Sequence, residues 1–145
     1  QFEPTKEELK CLSEHALGAF TRAYTPYTKS PAGVALLLKT PGKPKFKTSV
    51  VSECTACGGS CGSVDKNGDS VRVASGFYIE SCAYNPSLSA ARCALLHAVM
   101  LNVEWSDVLA VMVVDDPSNQ VRHYKDVQLL FKTVNKYAPV MLILV

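Results

Sequence analysis

Reactive side chains are sparse in this chain, and their densest group is Cys54, Cys57 and Cys61, a C-x-x-C-x-x-x-C run set among Gly58, Gly59, Ser60 and Gly62. Two thiols with two residues between them make half of a zinc or redox site. A fourth ligand would have to come from Cys82, a histidine, a carboxylate or another chain. The surrounding glycines and serines equally fit a loop carrying free thiols, and a disulfide is a third reading. Cys82 stands apart: a nucleophilic thiol needs a base beside it, and no histidine or aspartate falls near it in a recognisable pattern. Asp115-Asp116-Pro117 follows an apolar run, where open α/β sheets take ligands, yet the same residues read as a turn and helix cap. His97 lies among apolar residues and reads as a hydrogen-bonded packing residue, whereas His15 and His123 read as helix-surface residues.

Hydrophobic periodicity predicts the elements that would carry these groups. Pro4 and Thr5 precede Lys6-Glu7-Glu8, and Leu9, Leu12, Ala16, Leu17 and Phe20 recur at helical spacing, so a helix is expected from about Thr5 to Tyr24. Pro26 and Pro31 forbid its continuation. Gly33 to Leu38 is a continuous apolar run, the mark of a buried central strand. Thr40 to Ser70 reads as a surface insertion in which only Phe46–Val51 looks like a strand. Val71–Ile79 reads as a strand, with Glu80–Pro86 a loop after it. A helix from Leu88 to Leu101 places Leu88, Ala91, Leu95, Ala98 and Val99 on one side. Val108–Val114 reads as a second buried strand, His123–Asn135 as a helix and Pro139–Val145 as the last strand. Cys11 and Cys93 read as core fillers, and Trp105 as packing between helix and strand.

This order implies one α/β domain over residues 1–145: a mixed, mostly parallel sheet with helices on both faces, residues 40–70 being an irregular arm. The closing strand–helix–strand unit should be a right-handed parallel pair, and the first two strands antiparallel. A chain of 145 residues, 48% hydrophobic, buries a core without cross-links. The net charge of +2 argues against a nucleic-acid partner, and the densest basic group, Lys39, Lys43, Lys45 and Lys47, lies among prolines and a glycine. No apolar run is long enough to span a membrane. The absence of a secretory signal suggests a cytoplasmic protein whose six cysteines are thiols, and the start at Gln1 suggests a fragment or processed piece.

Two stretches carry a resemblance. Pro26-Tyr27-Thr28-Lys29-Ser30-Pro31-Ala32-Gly33-Val34-Ala35-Leu36 is similar to the PYSKFPVGAAL element of the cytidine deaminases. Gly76-Phe77-Tyr78-Ile79-Glu80-Ser81-Cys82-Ala83-Tyr84-Asn85-Pro86-Ser87 is similar to their G-x-N-x-E-N-A-S-Y-N-P-T element. The resemblance runs from about Leu9 to the C-terminus, with Thr40–Ser70 unmatched, and implies their three-layer fold. In that family a thiolate or imidazole at a helix start binds zinc, and a glutamate two residues later moves protons to and from the attacking water. Here those positions hold Ser89 and Ala91. The second zinc element, Pro-Cys-x-x-Cys, falls at Pro117-Ser118-Asn119-Gln120-Val121, so Ser118 and Val121 replace its thiols. The ribose-binding asparagine is Tyr78, while Glu80 is retained.

Those losses resemble the degenerate C-terminal half of the two-domain, dimeric cytidine deaminases of bacteria and plants. The resemblance implies a non-catalytic domain that binds no cofactor itself, zinc belonging to the catalytic half. Its partners would be that catalytic domain or a homodimer partner, with no nucleic acid and no membrane. Such a domain would stabilise the dimer of an enzyme hydrolysing cytidine or deoxycytidine to the uridine product. The loop Ser81-Cys82-Ala83-Tyr84 would reach across an interface, with Ala83 and Tyr84 covering the nucleoside in trans. Tyr84 could equally be a plain interface aromatic. Glu80 could hold a ribose hydroxyl or make a helix-entry hydrogen bond. The alternatives are a stand-alone pseudoenzyme acting as an assembly subunit, and a metal-binding module using Cys54, Cys57 and Cys61.

Overall fold

The computed structural model describes residues 3–40, 63–64, 70–82, 87–100 and 103–145. The first helix, α1, spans Lys6–Arg22 because its start is doubly capped: the Thr5 hydroxyl accepts from the Glu8 N–H at 3.2 Å, and the Glu8 carboxylate accepts from the Thr5 N–H at 3.0 Å. Strand β1 is Gly33–Thr40, followed by a two-residue strand β2, Ser63–Val64, and by β3, Ser70–Phe77. Helix α2 spans Ala90–Met100, β4 spans Val108–Asp115, α3 spans Arg122–Val134 and β5 spans Val140–Leu144. The expected strand over Phe46–Val51 and most of the arm lie outside the described residues.

The sheet runs in the order β2-β3-β1-β4-β5, a mixed α/β arrangement as expected. One detail is corrected: the pairing is not mostly parallel. Among the described strands only β4 and β5 pair in parallel, whereas β1 lies antiparallel to both β3 and β4. The crossovers through α2 and α3 do give β3, β4 and β5 one direction. But β1 is inserted between β3 and β4, so those two parallel strands never touch.

Helices cover both faces. Strand β1 is buried on each side, which is why it reads as an unbroken apolar run. Ala35 and Leu37 face α1, packing with Leu12, Ala16, Ala110 and Met112. Val34, Leu36 and Leu38 face the opposite layer, with Ala74, Ala94, Val111, Val127 and Phe131. Each such large apolar side chain contributes about 1.5–3 kcal/mol by leaving water. Both helices that lie on the sheet's centre approach it through glycine. A Cβ on Gly33 would sit 2.3 Å from the Ala16 carbonyl oxygen, and one on Gly76 would sit 2.2 Å from the Ala94 nitrogen.

Several sequence expectations shift in detail. Ala91, Leu95 and Ala98 are buried on α2, but Val99 faces outward. Cys11 and Cys93 are half-buried, not core residues. Trp105 is exposed, because it sits in a short 3-10 turn ahead of β4 instead of under a helix.

Candidate functional site

After β3 the chain runs as a ribbon between two other segments. The Tyr78 carbonyl accepts from the Tyr24 N–H at 2.9 Å and the Glu80 N–H donates to the Tyr24 carbonyl at 2.8 Å. On the other side Ile79 and Leu88 exchange both backbone hydrogen bonds. The Ser81 N–H donates to the Ser87 hydroxyl at 3.0 Å, tying residue 81 to residue 87. Cys82, next along the chain, is an exposed free thiol. Ala83 and Tyr84 lie outside the described residues, as do Cys54, Cys57 and Cys61.

Glu80 does not make the helix-entry hydrogen bond that the sequence suggested. Its side chain, 6% exposed, turns to the 24–30 segment and accepts from the Tyr27 N–H at 3.0 Å and the Thr28 N–H at 3.1 Å. It therefore caps the turn of the first family-like motif; it does not enter the helix. Desolvation pulls its pKa up, but the hydrogen bonds from Tyr27 and Thr28, helped by the Arg122 charge, outweigh this and hold it below the ordinary glutamate value.

The structure overturns the placement of His123 on the helix surface. The ring is 4% exposed, 4.7 Å from the Tyr78 ring, and its Nε2 lies 3.0 Å from the Ser30 carbonyl oxygen and 3.1 Å from the Ser30 hydroxyl. A carbonyl can only accept, so Nε2 carries the proton when the ring is neutral. Desolvation lowers the His123 pKa, with Arg122 acting the same way; Asp115, the Ser30 carbonyl and Asp126 oppose it without winning. Tyr78 is thus packed into the core against an imidazole. His97 behaves as expected: its Nδ1 accepts from the Ser75 N–H at 3.2 Å.

The Asp115-Asp116 corner is a cap, as the sequence allowed. Asp115 is fully buried; one carboxylate oxygen accepts from the Asp116 N–H at 2.8 Å and the other from the Tyr124 N–H at 3.0 Å, inside the first turn of α3. Asp116 accepts from the Ser118 N–H at 2.9 Å. Gln120 and Val121 then hold left-handed backbone, with φ of 57° and 50°. For a β-branched residue such as Val121 that conformation costs on the order of 1–2 kcal/mol.

These elements set the first turns of α2 and α3 around a cleft of about 140 Å³, lined by Tyr78, Ser87, Ser89, Arg92, Arg122, His123 and Asp126. Of the four positions that the resemblance sets against the family's reactive groups, Ser89, Ala91, Ser118 and Val121, only Ser89 opens onto it. Ser89 caps α2, its hydroxyl accepting from the Arg92 N–H at 3.3 Å. Ala91 is buried in the core on the sheet side of α2, Ser118 is exposed, and Val121 is half-buried just before Arg122. The chemistry of these donors does not fit a hydrolytic zinc. Such an ion needs about three thiolate, imidazole or carboxylate ligands with one open position, and here the corresponding side chains are two hydroxymethyls and an isopropyl. A methyl at Ala91 can neither take nor give a proton. Sequence reasoning missed Arg92, Arg122, His123 and Asp126. The available signal was positional: Arg92 is three residues after Ser89, and Arg122 follows Val121 directly.

Residues 61–128 match the family model described as the cytidine and deoxycytidylate deaminase zinc-binding region. A cytidine deaminase from Vibrio cholerae is 24% identical over 135 residues, which are 93% of this chain but 36% of that protein. Cytidine deaminase 6 of Arabidopsis thaliana is 32% identical over 102 residues, 69% of this chain and 24% of that protein. The chain therefore spans about a third of the length of the curated relatives it matches. Among solved structures, the cytidine deaminase of Mycobacterium leprae aligns over 92% of this chain and 87% of its own, with a TM-score of 0.55 at 19% identity. That likeness carries the fold. The matched region and these relatives liken this chain to the cytidine deaminase family, and the structural neighbour shows that it has their fold.

Proposed function

We propose that this chain is a non-catalytic cytidine-deaminase-like domain that stabilises the dimer of a zinc-dependent cytidine or deoxycytidine deaminase. In this reading the zinc and the proton-transferring glutamate belong to a second, catalytic domain. The carrying observation is the composition of the cleft: where the family's zinc chemistry would sit, the first turns of α2 and α3 bring Ser89, Arg92, Arg122 and His123, with Ala91 turned into the core. Coverage of about a third of the bacterial relatives fits a chain that corresponds to one part of a larger protein.

A surface in search of a partner supports the same reading. Leu96, Val99 and Met100 are exposed on one side of α2, at 56%, 49% and 74%. Three large apolar side chains within five residues of a helix mark an interaction face more often than a solvated one. The domain's contribution would be packing there, plus the loop bearing Ala83 and Tyr84 laid over a neighbouring nucleoside.

The test is reconstitution. The purified chain is mixed with the zinc-bearing half of the same enzyme, and cytidine deamination and co-elution are measured. The expected result is no turnover by the chain alone, and a complex whose activity or thermal stability exceeds that of the catalytic half by itself. A catalytic half that neither binds the chain nor gains from it would refute the proposal.

A further inference from the structure

The cleft has lost a metal-binding chemistry and holds another in its place. Arg92 and Arg122 both line it, and neither guanidinium is hydrogen-bonded or ion-paired among the described residues. Both residues lie in the first turns of helices of 11 and 13 residues, whose N-terminal ends carry partial positive charge. In α3 the N-cap residue, Val121, supplies no side-chain cap, and the first turn is met from below by the Asp115 carboxylate on the Tyr124 N–H. The Ser89 hydroxyl accepts from the Arg92 N–H, which leaves its own proton for an acceptor in the cleft.

Two further groups sharpen the choice of ligand. His123, almost wholly buried, has its Nε2 committed to Ser30, and its Nδ1 has no hydrogen-bond partner among the described residues. With the proton on Nε2, that nitrogen offers a lone pair. The Asp126 carboxylate, also on the lining, is a second acceptor. A simple anion would satisfy the arginines but be repelled by these two. An oxyanion that carries both negative oxygens and a hydroxyl satisfies all of them. The volume sets the size: about 140 Å³ is well under the ~300–1,000 Å³ of pockets that enclose drug-sized ligands. It holds a single group, not a whole nucleoside.

We propose that this cleft binds a hydrogen phosphate group, its oxygens held by Arg92, Arg122 and Ser89 and its hydroxyl donated to His123 Nδ1 or Asp126. The source is either free phosphate or the terminal group of a phosphomonoester such as a nucleotide, whose remainder would extend out of the cleft. The inference does not depend on the domain's role beside a catalytic half.

The experiment is titration of the 145-residue chain with inorganic phosphate, sulfate, a nucleoside 5′-monophosphate and the matching nucleoside, by calorimetry and by backbone amide shifts. Saturable phosphate binding is expected, with shifts at Ser89 and Arg122, and at least tenfold weaker binding of sulfate, which lacks the hydroxyl at neutral pH. Tighter binding of the nucleotide than of phosphate identifies a phosphomonoester as the source; equal binding identifies the free ion. Arg92→Gln and Arg122→Gln should each weaken phosphate by tenfold or more, while Lys132→Gln, on the far end of α3, should not. Absence of saturable phosphate binding overturns the proposal. So does sulfate binding as tightly as phosphate, or unchanged phosphate affinity in the arginine variants. Should an arginine variant fail to fold, the wild-type amide shifts decide: changes confined to residues away from the cleft also overturn it.

Discussion

Replacing two glycines by alanine should move stability in opposite directions, and the structure sets both magnitudes. Gly76 lies in β3 beneath α2, where a Cβ would stand 2.2 Å from the Ala94 nitrogen, 2.7 Å from the Ala90 carbonyl oxygen and 2.8 Å from the Ala94 Cα. All three are backbone atoms, and the nearest is more than an ångström inside the 3.4 Å at which ordinary contact begins. No rotamer can relieve this, so α2 must lift off the sheet, away from the Ala74 and Ala94 packing that holds it. Overpacking of this kind costs about 1–3 kcal/mol. At roughly 2–4 °C per kcal/mol for a chain of this size, the Gly76→Ala midpoint should fall by about 2–12 °C. Gly18 lies on α1, and an added Cβ there would meet nothing within 4 Å. The extra methyl removes the backbone entropy penalty of a mid-helix glycine, a gain of about 0.5–1 kcal/mol and roughly 1–4 °C. Thermal unfolding followed by circular dichroism reads both. An unchanged or raised midpoint for Gly76→Ala, or a lowered one for Gly18→Ala, would refute the packing argument.

Asp115→Ala strands two part-buried backbone N–H groups, those of Asp116 and Tyr124, and should cost about 1–3 kcal/mol in denaturant unfolding; a loss under about 0.5 kcal/mol would show that α3 is not capped this way. His15 and His123 both titrate below the ordinary histidine value of 6.5, each because burial disfavours the charged ring. Above pH 6.5 their contribution is therefore complete. As pH falls through 6.5 the unfolded chain takes up protons that the folded chain refuses, so stability declines until the folded pKa values are passed. His123→Gln should make that decline shallower, and stability rising on acidification to about pH 5 would contradict the assignment. Glu80, held below its ordinary 4.5, adds a further loss as pH drops below 4.5. Leu96→Glu with Met100→Glu should abolish any self-association seen by sedimentation while leaving the melting midpoint within a few degrees, because both side chains already face solvent.

What the sequence made legible was what local chemistry decides. Thr5 and Glu8 announce the start of α1, and β1 and β4 read as buried strands because both of their faces are covered. The Asp115-Asp116-Pro117 corner reads as a cap because its partners, Ser118 and Tyr124, are close along the chain. Illegible were the groups whose partners lie far away. His123 has the sequence surroundings of a surface residue, and only the approach of Ser30, 93 positions earlier, buries it. Glu80 is bound by Tyr27 and Thr28, more than 50 positions earlier. The insertion of β1 between β3 and β4 is likewise a tertiary decision, which is why pairing that looked mostly parallel is mostly antiparallel. The site shows the same division. Ser89, Ala91, Ser118 and Val121 could be singled out along the chain, yet the pairing of Arg92 with Arg122 emerges only when α2 and α3 are brought together.

The most direct test of a cleft without hydrolytic chemistry is to measure zinc content and cytidine turnover on the same purified sample, with Cys54, Cys57 and Cys61 all changed to serine so that the arm cannot contribute metal. A cleft lined by Ser89, Arg92, Arg122 and His123 should hold no zinc and release no uridine. One zinc per chain accompanied by deamination that disappears on chelation would contradict it.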